Sequence, residues 1–228
     1  MPDTAPAGSP GELANGEAPC VFLASRNAKK IGELTRILGA VVPGLRVLGL
    51  DDVEFYEEPV EDQPTFAGNA LLKARAGALA TGLPSLSDDS GLCVDALNGM
   101  PGVLSARWSG VPRSSISGQD DRNNELLLSQ LADVPDSRRG AFFACAVAFC
   151  YPVGDGGIAE EVVTGEMAGS ITREVRGNGG FGYDVVFVPT GFTVTSAELP
   201  SEEKDAISHR GKALREIAPL VADVLAGL

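Results

Sequence analysis

A single histidine, His209, and four cysteines without a Cys-x-x-Cys spacing leave this 228-residue chain short of the ligands that a structural zinc requires. Cys145 and Cys150 sit inside the apolar run AFFACAVAFCY, and with Cys20 and Cys93 they read as buried free thiols in a reducing cytosol. Basic residues are also few: 18 Lys and Arg against 31 Asp and Glu give a formal net charge of −13. Binding to DNA, RNA or an anionic membrane depends on neutralising phosphates with Lys and Arg, so no nucleic acid and no membrane is expected as a general partner. A single anionic ligand stays open, and for an acidic protein the economical counter-charge is a metal held by carboxylates. No apolar run is long enough to cross a bilayer, and the opening MPDTAPAGSPGELANGEAP has neither the basic nor the apolar region of a secretory leader. The chain is therefore expected in the cytoplasm. Rich in Pro, Gly, Ala and acidic residues, the first 19 positions are expected to be a disordered tail ahead of one domain over residues 20–228.

What is present is an alternation of strands and helices. Residues 21–24 form a short apolar run, a polar turn follows, and Ile31, Leu34, Ile37 and Leu38 recur at helical spacing up to Gly39, with Asn27 as the expected N-cap. A second strand is expected over residues 45–50. Thr65 should cap a helix reading FAGNALLKARAGALATG that stops at Gly82. A short strand over residues 83–87 should carry Asp88-Asp89-Ser90-Gly91 at its end, where ligands collect in α/β sheets. Further elements are a helix over 120–131, a buried central strand over 141–151 and a hairpin partner over 158–163. The last is a helix over 208–225, which Pro219 should bend. Mixed strands and helices with at least one hairpin predict an α/β fold on a mixed sheet.

The segment RGNGGFGYDVVFVP holds Gly177, Gly179 and Gly182 at the G-x-G-x-x-G spacing of dinucleotide-binding turns. That spacing grips a pyrophosphate only where the glycines open a helix, and here the β-branched and aromatic run from Tyr183 to Pro189 predicts a strand. The glycines must serve something else. Polar groups recur at three other places. A helix start with Asn27 and Lys30 is an anion site, and a second lysine there, Lys29, opposes the helix dipole unless an anion is bound. Asp88 and Asp89 read either as a turn pair or as carboxylates that hold a hard cation or activate water. His209 reads as a polar cap or, beside Arg210 and Lys204, as a reader of a base edge. Basic groups for phosphates, carboxylates for a metal and a glycine-aromatic turn for a flat ring together imply a nucleotide.

The segments LASRNAKKIGEL, TFAGNALLKARA, SDDSGLCVDALNGMPGVLSARWSG, ITREVRGNGGFGYDVVFVP and EEKDAISHRGKAL, in that order, resemble the inosine triphosphatase family of non-canonical purine nucleoside triphosphate pyrophosphatases. The resemblance runs from about Cys20 to the C-terminus. It implies an elongated single α/β domain with a central mixed β-sheet flanked by helices, a homodimer, and magnesium-dependent cleavage of ITP, dITP or XTP to monophosphate and pyrophosphate. It further implies that Ser25, Arg26, Asn27, Ala28, Lys29 and Lys30 hold the triphosphate with Lys73 and Ser90 nearby. Phe181 would stack on the purine, with Gly182, Tyr183 and Asp184 completing the wall. Lys204, Ser208, His209 and Arg210 would read the 6-keto edge. Asp89 is the implied general base, and Asp88, Asp89 and one glutamate the implied magnesium ligands; Glu61 suits the distance to Thr65-Phe66 best and Glu58 is its rival. Three positions depart from the family pattern: Lys29 stands where a small residue is common, Trp108 where Tyr is expected, and Leu127 where Lys usually follows Asn123 and Asn124. A Maf-type pyrophosphatase and a nucleotide-binding module without catalysis remain as alternatives. The Ser-His-Arg edge argues against the first, and a mere binder would have no use for Asp88-Asp89.

Overall fold

The computed structural model describes residues 18–110, 118–154 and 156–227, so all but the last two positions of the expected tail lie outside it. In chain order the elements are β1 (Cys20–Leu23), α1 (Ala28–Gly39), β2 (Arg46–Leu48), α2 (Phe66–Thr81), β3 (Ser85–Val94), α3 (Gln119–Gln130), β4 (Gly140–Pro152), β5 (Ile158–Ile171), β6 (Phe187–Pro189), α4 (Ser201–Ile207) and α5 (His209–Ala226). The six strands make one mixed sheet in the order β2-β1-β3-β4-β5-β6. β1 pairs in parallel with both β2 and β3, and β3 through β6 run antiparallel. β4 and β5, of 13 and 14 residues, form a hairpin roughly 45 Å long at the usual rise per residue.

Alternation along β4 decides what each face holds. Cys145, Val147 and Phe149 point into a core with Leu34 and Leu38 of α1 and Leu214, Ile217 and Val221 of α5. Ala146, Ala148 and Cys150 point the other way, onto Ala70, Ala74 and Ala78 of α2. The small residues draw α2 close to the sheet, and Gly77 is part of this, since a Cβ there would lie 2.6 Å from the Phe22 ring. A third cluster, around Leu127 of α3, Leu131 just after it and Phe187 of β6, seals the far end. Burial pushes the Cys145 and Cys150 thiols up to about 12, which leaves them protonated and inert.

The expected caps are in place. The Asn27 side chain accepts from the Lys29 and Lys30 N–H groups, Thr65 Oγ1 accepts from Gly68 N–H, and Gly82 ends α2 in the left-handed conformation. Ser208 caps the start of α5 and closes α4, a helix not anticipated because its seven residues show no apolar stripe. α5 is seated directly on β5: a Cβ on Gly165 would fall 2.2 Å from the His209 carbonyl oxygen. Gly165→Ala should therefore push the start of α5 off the sheet and cost about 1–3 kcal/mol, a Tm loss of roughly 2–12 °C by circular dichroism; an unchanged Tm would mean that α5 is not seated there.

The hairpin partner expected over 158–163 is longer, β5 running to Ile171, and two further expectations need correction. Residues 83–87 are not the whole strand: β3 continues to Val94, pairing with β4 at every residue from Ser85 to Val94, so Asp88 and Asp89 lie in mid-strand. The polar run resembles a strand end only because its side chains are occupied by partners distant in sequence. The run from Tyr183 to Pro189 is not one strand, since residues Gly182–Val186 form a 3-10 turn and only Phe187–Pro189 joins the sheet. Asp184 drives this, folding back to accept the Phe181 N–H at 2.9 Å.

Candidate active site

Because consecutive strand residues face opposite sides, Asp88 and Asp89 do not share a site. Asp88, on the α1–α5 face, is buried between Lys30 Nζ at 2.9 Å and Arg210 Nε at 3.1 Å. Burial alone would raise its carboxyl, but the charges of Lys30, Arg210 and Lys73 outweigh that and hold it well below the usual carboxylate range. Asp89 looks toward α2, where Asn69 Nδ2 donates to it at 3.0 Å. Its carboxyl is pushed up by burial, against the pull of Lys73 and the Asn69 hydrogen bond, with Glu61 adding to the rise. The grouping of Asp88 with Asp89 and Glu61 as metal ligands is thus corrected: Asp88 neutralises two cations on the opposite face.

Lys73 of α2 ties the Asp89 side together, donating to the Asp88 carbonyl at 2.8 Å and pairing with Glu61 at 3.1 Å. Glu58, the rival glutamate, is instead held by Arg26, which also pairs with Asp51 at 3.3 Å. Arg26 is therefore occupied by these two carboxylates. Ser25 Oγ accepts from Asn27 N–H at 3.1 Å. The first-turn N–H groups of Lys29 and Lys30 are taken by the Asn27 cap, so an anion here would rest on the helix dipole and the lysine side chains more than on those two donors. The donor set near Asp89 suits a hard cation, since Glu61, paired with Lys73, is close enough to act on the Asp89 carboxyl. Among the described residues no three His, Cys, Asp or Glu side chains converge as a cage. Such an ion would have to complete its shell with substrate phosphates and water.

Farther along β3, at Ser90 and Gly91, a cavity of about 480 Å³ opens between α1, the 3-10 turn, α4 and α5. Ala28 and Lys29 line one side, and Phe181, Gly182, Tyr183 and Asp184 another. Lys204, His209 and Arg210 form the floor and far wall. Arg210 is fixed at all three nitrogens, by Asp88, by Glu33 at 3.0 Å and by Ser90 Oγ at 2.9 Å. Lys204 pairs with Asp184. His209 is stacked on Phe143 at 4.9 Å, and among the described residues its Nδ1 has no hydrogen-bond partner. Burial, reinforced by Arg210 and Lys204, holds its pKa well below the ordinary value, so the ring is neutral at pH 7. Phe181 is 38% exposed, presenting ring surface to the cavity mouth. Gly180, between the glycines of the motif, has φ +69°, and a Cβ there would meet Asp184 Oδ2 at 2.1 Å, so the turn needs glycine at this position too.

The structure brings Ala28, Lys29, Ser90, Phe181, Gly182, Tyr183, Asp184, Lys204, His209 and Arg210 to one cavity, and Asp89, Glu61 and Lys73 beside it; Lys30 meets Asp88 behind it. Tyr183 contributes as a wall, with its hydroxyl donating to the Ser105 carbonyl at 2.9 Å. Sequence reading missed three supports. Glu33 holds Arg210, while Asp120 accepts the Gly182 N–H at 2.7 Å and Asn124 donates to the Gly182 carbonyl at 2.9 Å. Glu33 lies one position before the apolar Leu34, and that a charge falls on a helix face turned inward was the one signal available.

Comparison with known proteins agrees with this geometry. Residues 21–220 match the model of the Ham1 family. A protein of Nocardia farcinica named dITP/XTP pyrophosphatase is 58% identical over 203 residues, covering 89% of this chain and 94% of its own length. A protein of the same name from Mycobacterium tuberculosis is 53% identical, covering 91% and 97%. The crystal structure of a nucleoside-triphosphatase / dITP/XTP pyrophosphatase from Mycobacterium abscessus, 52% identical, superposes with a TM-score of 0.69 over 88% of this chain and 99% of that one. The structure of a HAM1 protein from Coxiella burnetii, 35% identical, gives 0.77 over 90% and 98%.

Proposed function

The chain belongs to the Ham1 family, and from that premise we propose that it hydrolyses non-canonical purine nucleoside triphosphates, ITP, dITP and XTP, to monophosphate and pyrophosphate. The observation that carries the base preference is the neutral, buried His209 beside Arg210 and Lys204 on the cavity wall. These donors suit a 6-keto oxygen. An adenine amino group set against them would leave buried donors unpaired, the arrangement that discriminates most sharply between bases.

With the purine against Phe181, the triphosphate extends along α1 and β3 toward Lys30 and Lys73. A water beside Asp89 gives its proton to the Asp89 carboxylate as its oxygen bonds to the α-phosphorus. The bond from that phosphorus to the bridging oxygen breaks, and pyrophosphate leaves with the electron pair. A carboxyl raised by burial is a stronger base than an exposed one, which suits the task. Asn69 orients it, and Lys73 balances negative charge at the same spot. Glu61 and Asp89 would hold magnesium, which supplies charge neutralisation on the departing pyrophosphate. A homodimer and a cytoplasmic location belong to the same proposal; among the described residues no helix is long and apolar enough to cross a membrane.

Phe181→Ala tests the base slot. Losing one base–aromatic stack should raise KM for ITP about tenfold and leave kcat within about twofold, by steady-state pyrophosphate release. An unchanged KM would remove Phe181 from the slot.

A further inference from the structure

Lys29 reaches across the cavity mouth from α1, donating to the Gly180 carbonyl at 2.8 Å, with its Nζ 5.8 Å from the centre of the Phe181 ring. Two other cations stand as close to that ring, Lys204 Nζ at 5.4 Å and Arg210 Cζ at 5.7 Å. Their charges are matched. Lys204 is paired with Asp184, and Arg210 together with Lys30 is balanced by Asp88 and Glu33. Arg36 and Asp205, also on the cavity wall, pair with each other at 2.6 Å. His209 is neutral, and Asp120, on the α3 side, is engaged by the Gly182 N–H. The partner of Lys29 is a neutral carbonyl, so among the described residues its positive charge is the one over the ring that no carboxylate pairs with.

We propose that Lys29 is a specificity-determining residue that biases the slot toward a purine whose ring carries negative charge, the xanthine anion, over neutral hypoxanthine; this rests on the pyrophosphatase reading above. Xanthine, with keto groups at both positions 2 and 6, loses a ring proton just below neutral pH, whereas hypoxanthine keeps its own until well above. At neutral pH the two bases therefore differ in charge as well as in shape. A base stacking on Phe181 enters the field of Lys29, whose charge is not offset as those of Lys204 and Arg210 are, and there an anion gains attraction that a neutral ring does not.

The test compares kcat/KM for XTP and ITP at pH 7.5 in the wild type and in Lys29→Gln, Lys29→Met and Lys29→Arg. Gln keeps a donor for the Gly180 carbonyl and removes the charge; Arg keeps the charge. The XTP-to-ITP ratio should fall roughly three- to fivefold in Gln and Met, the reach of a solvent-exposed charge, and stay near the wild-type ratio in Arg. A role in holding the turn alone would lower both substrates together, and a ratio unmoved in Gln overturns the proposal. A second measurement needs no variant: the ultraviolet spectrum of XMP bound to wild-type protein, followed with pH, should show the xanthine ring ionising at lower pH than in free XMP. Ionisation at the same or higher pH would contradict it. Wild-type protein that cleaves neither XTP nor ITP would instead remove the pyrophosphatase reading itself.

Discussion

Asp89→Asn should lower kcat for ITP by about 10²–10⁴, the usual worth of a positioned general base, while changing substrate affinity little. Asn is nearly isosteric and can still meet Asn69, so the fold around α2 is kept. What disappears is the group able to take the proton of the attacking water, together with a negative charge in the field of Lys73. Single-turnover pyrophosphate release and equilibrium binding of IMP, measured side by side, separate the two effects. Turnover that survives the change would remove Asp89 as base, and binding lost together with turnover would mark it as structural.

The same change one residue earlier should do something different. Among the described residues, Asp88→Asn leaves Arg210 paired with Glu33 alone and Lys30 without an ion-pair partner, in a buried cluster where Arg210 and Asp88 side chains are 5% and 7% exposed. Breaking such a buried pair costs about 3–5 kcal/mol, which for a chain of this size is a Tm loss of roughly 6–20 °C. The pH dependence follows from the depressed carboxyl. Its stabilising contribution is fully present above the ordinary Asp range of about 4 and drains away as pH falls below it, so the wild type should lose its advantage over Asp88→Asn in acid. Equal Tm values at pH 7 would contradict the paired role. Adjacent, chemically identical substitutions yielding a kinetic defect in one case and a stability defect in the other are what the strand alternation requires.

That contrast also marks where sequence reading reached its limit. Asn27, Thr65 and Gly82 were legible because a cap depends on residues within one turn of it. The mixed sheet was legible from apolar runs and one hairpin turn. The length of β3 was not, because its polar centre is satisfied by Lys30, Arg210, Asn69 and Lys73, residues that only tertiary structure brings near. Once the strand continues, the two carboxylates must part. Most of the cavity wall came from the family resemblance; of its supports, Glu33 and Asp120 carry no motif, and the pattern that includes Asn124 does not say that it holds Gly182.

The most direct test of the account is pyrophosphate release by the wild-type protein from ITP, XTP, dITP, ATP, GTP and dUTP, each with magnesium and with EDTA. ITP, dITP and XTP should be cleaved far faster than ATP and dUTP, with activity abolished by EDTA, while GTP, which shares the 6-keto oxygen, shows what the 2-amino group adds. ATP or dUTP cleaved as fast as ITP would contradict the keto-edge assignment of Lys204, His209 and Arg210. Turnover undiminished in EDTA would contradict the metal role of Glu61 and Asp89, and no cleavage of any nucleotide would leave the cavity a binding site without catalysis.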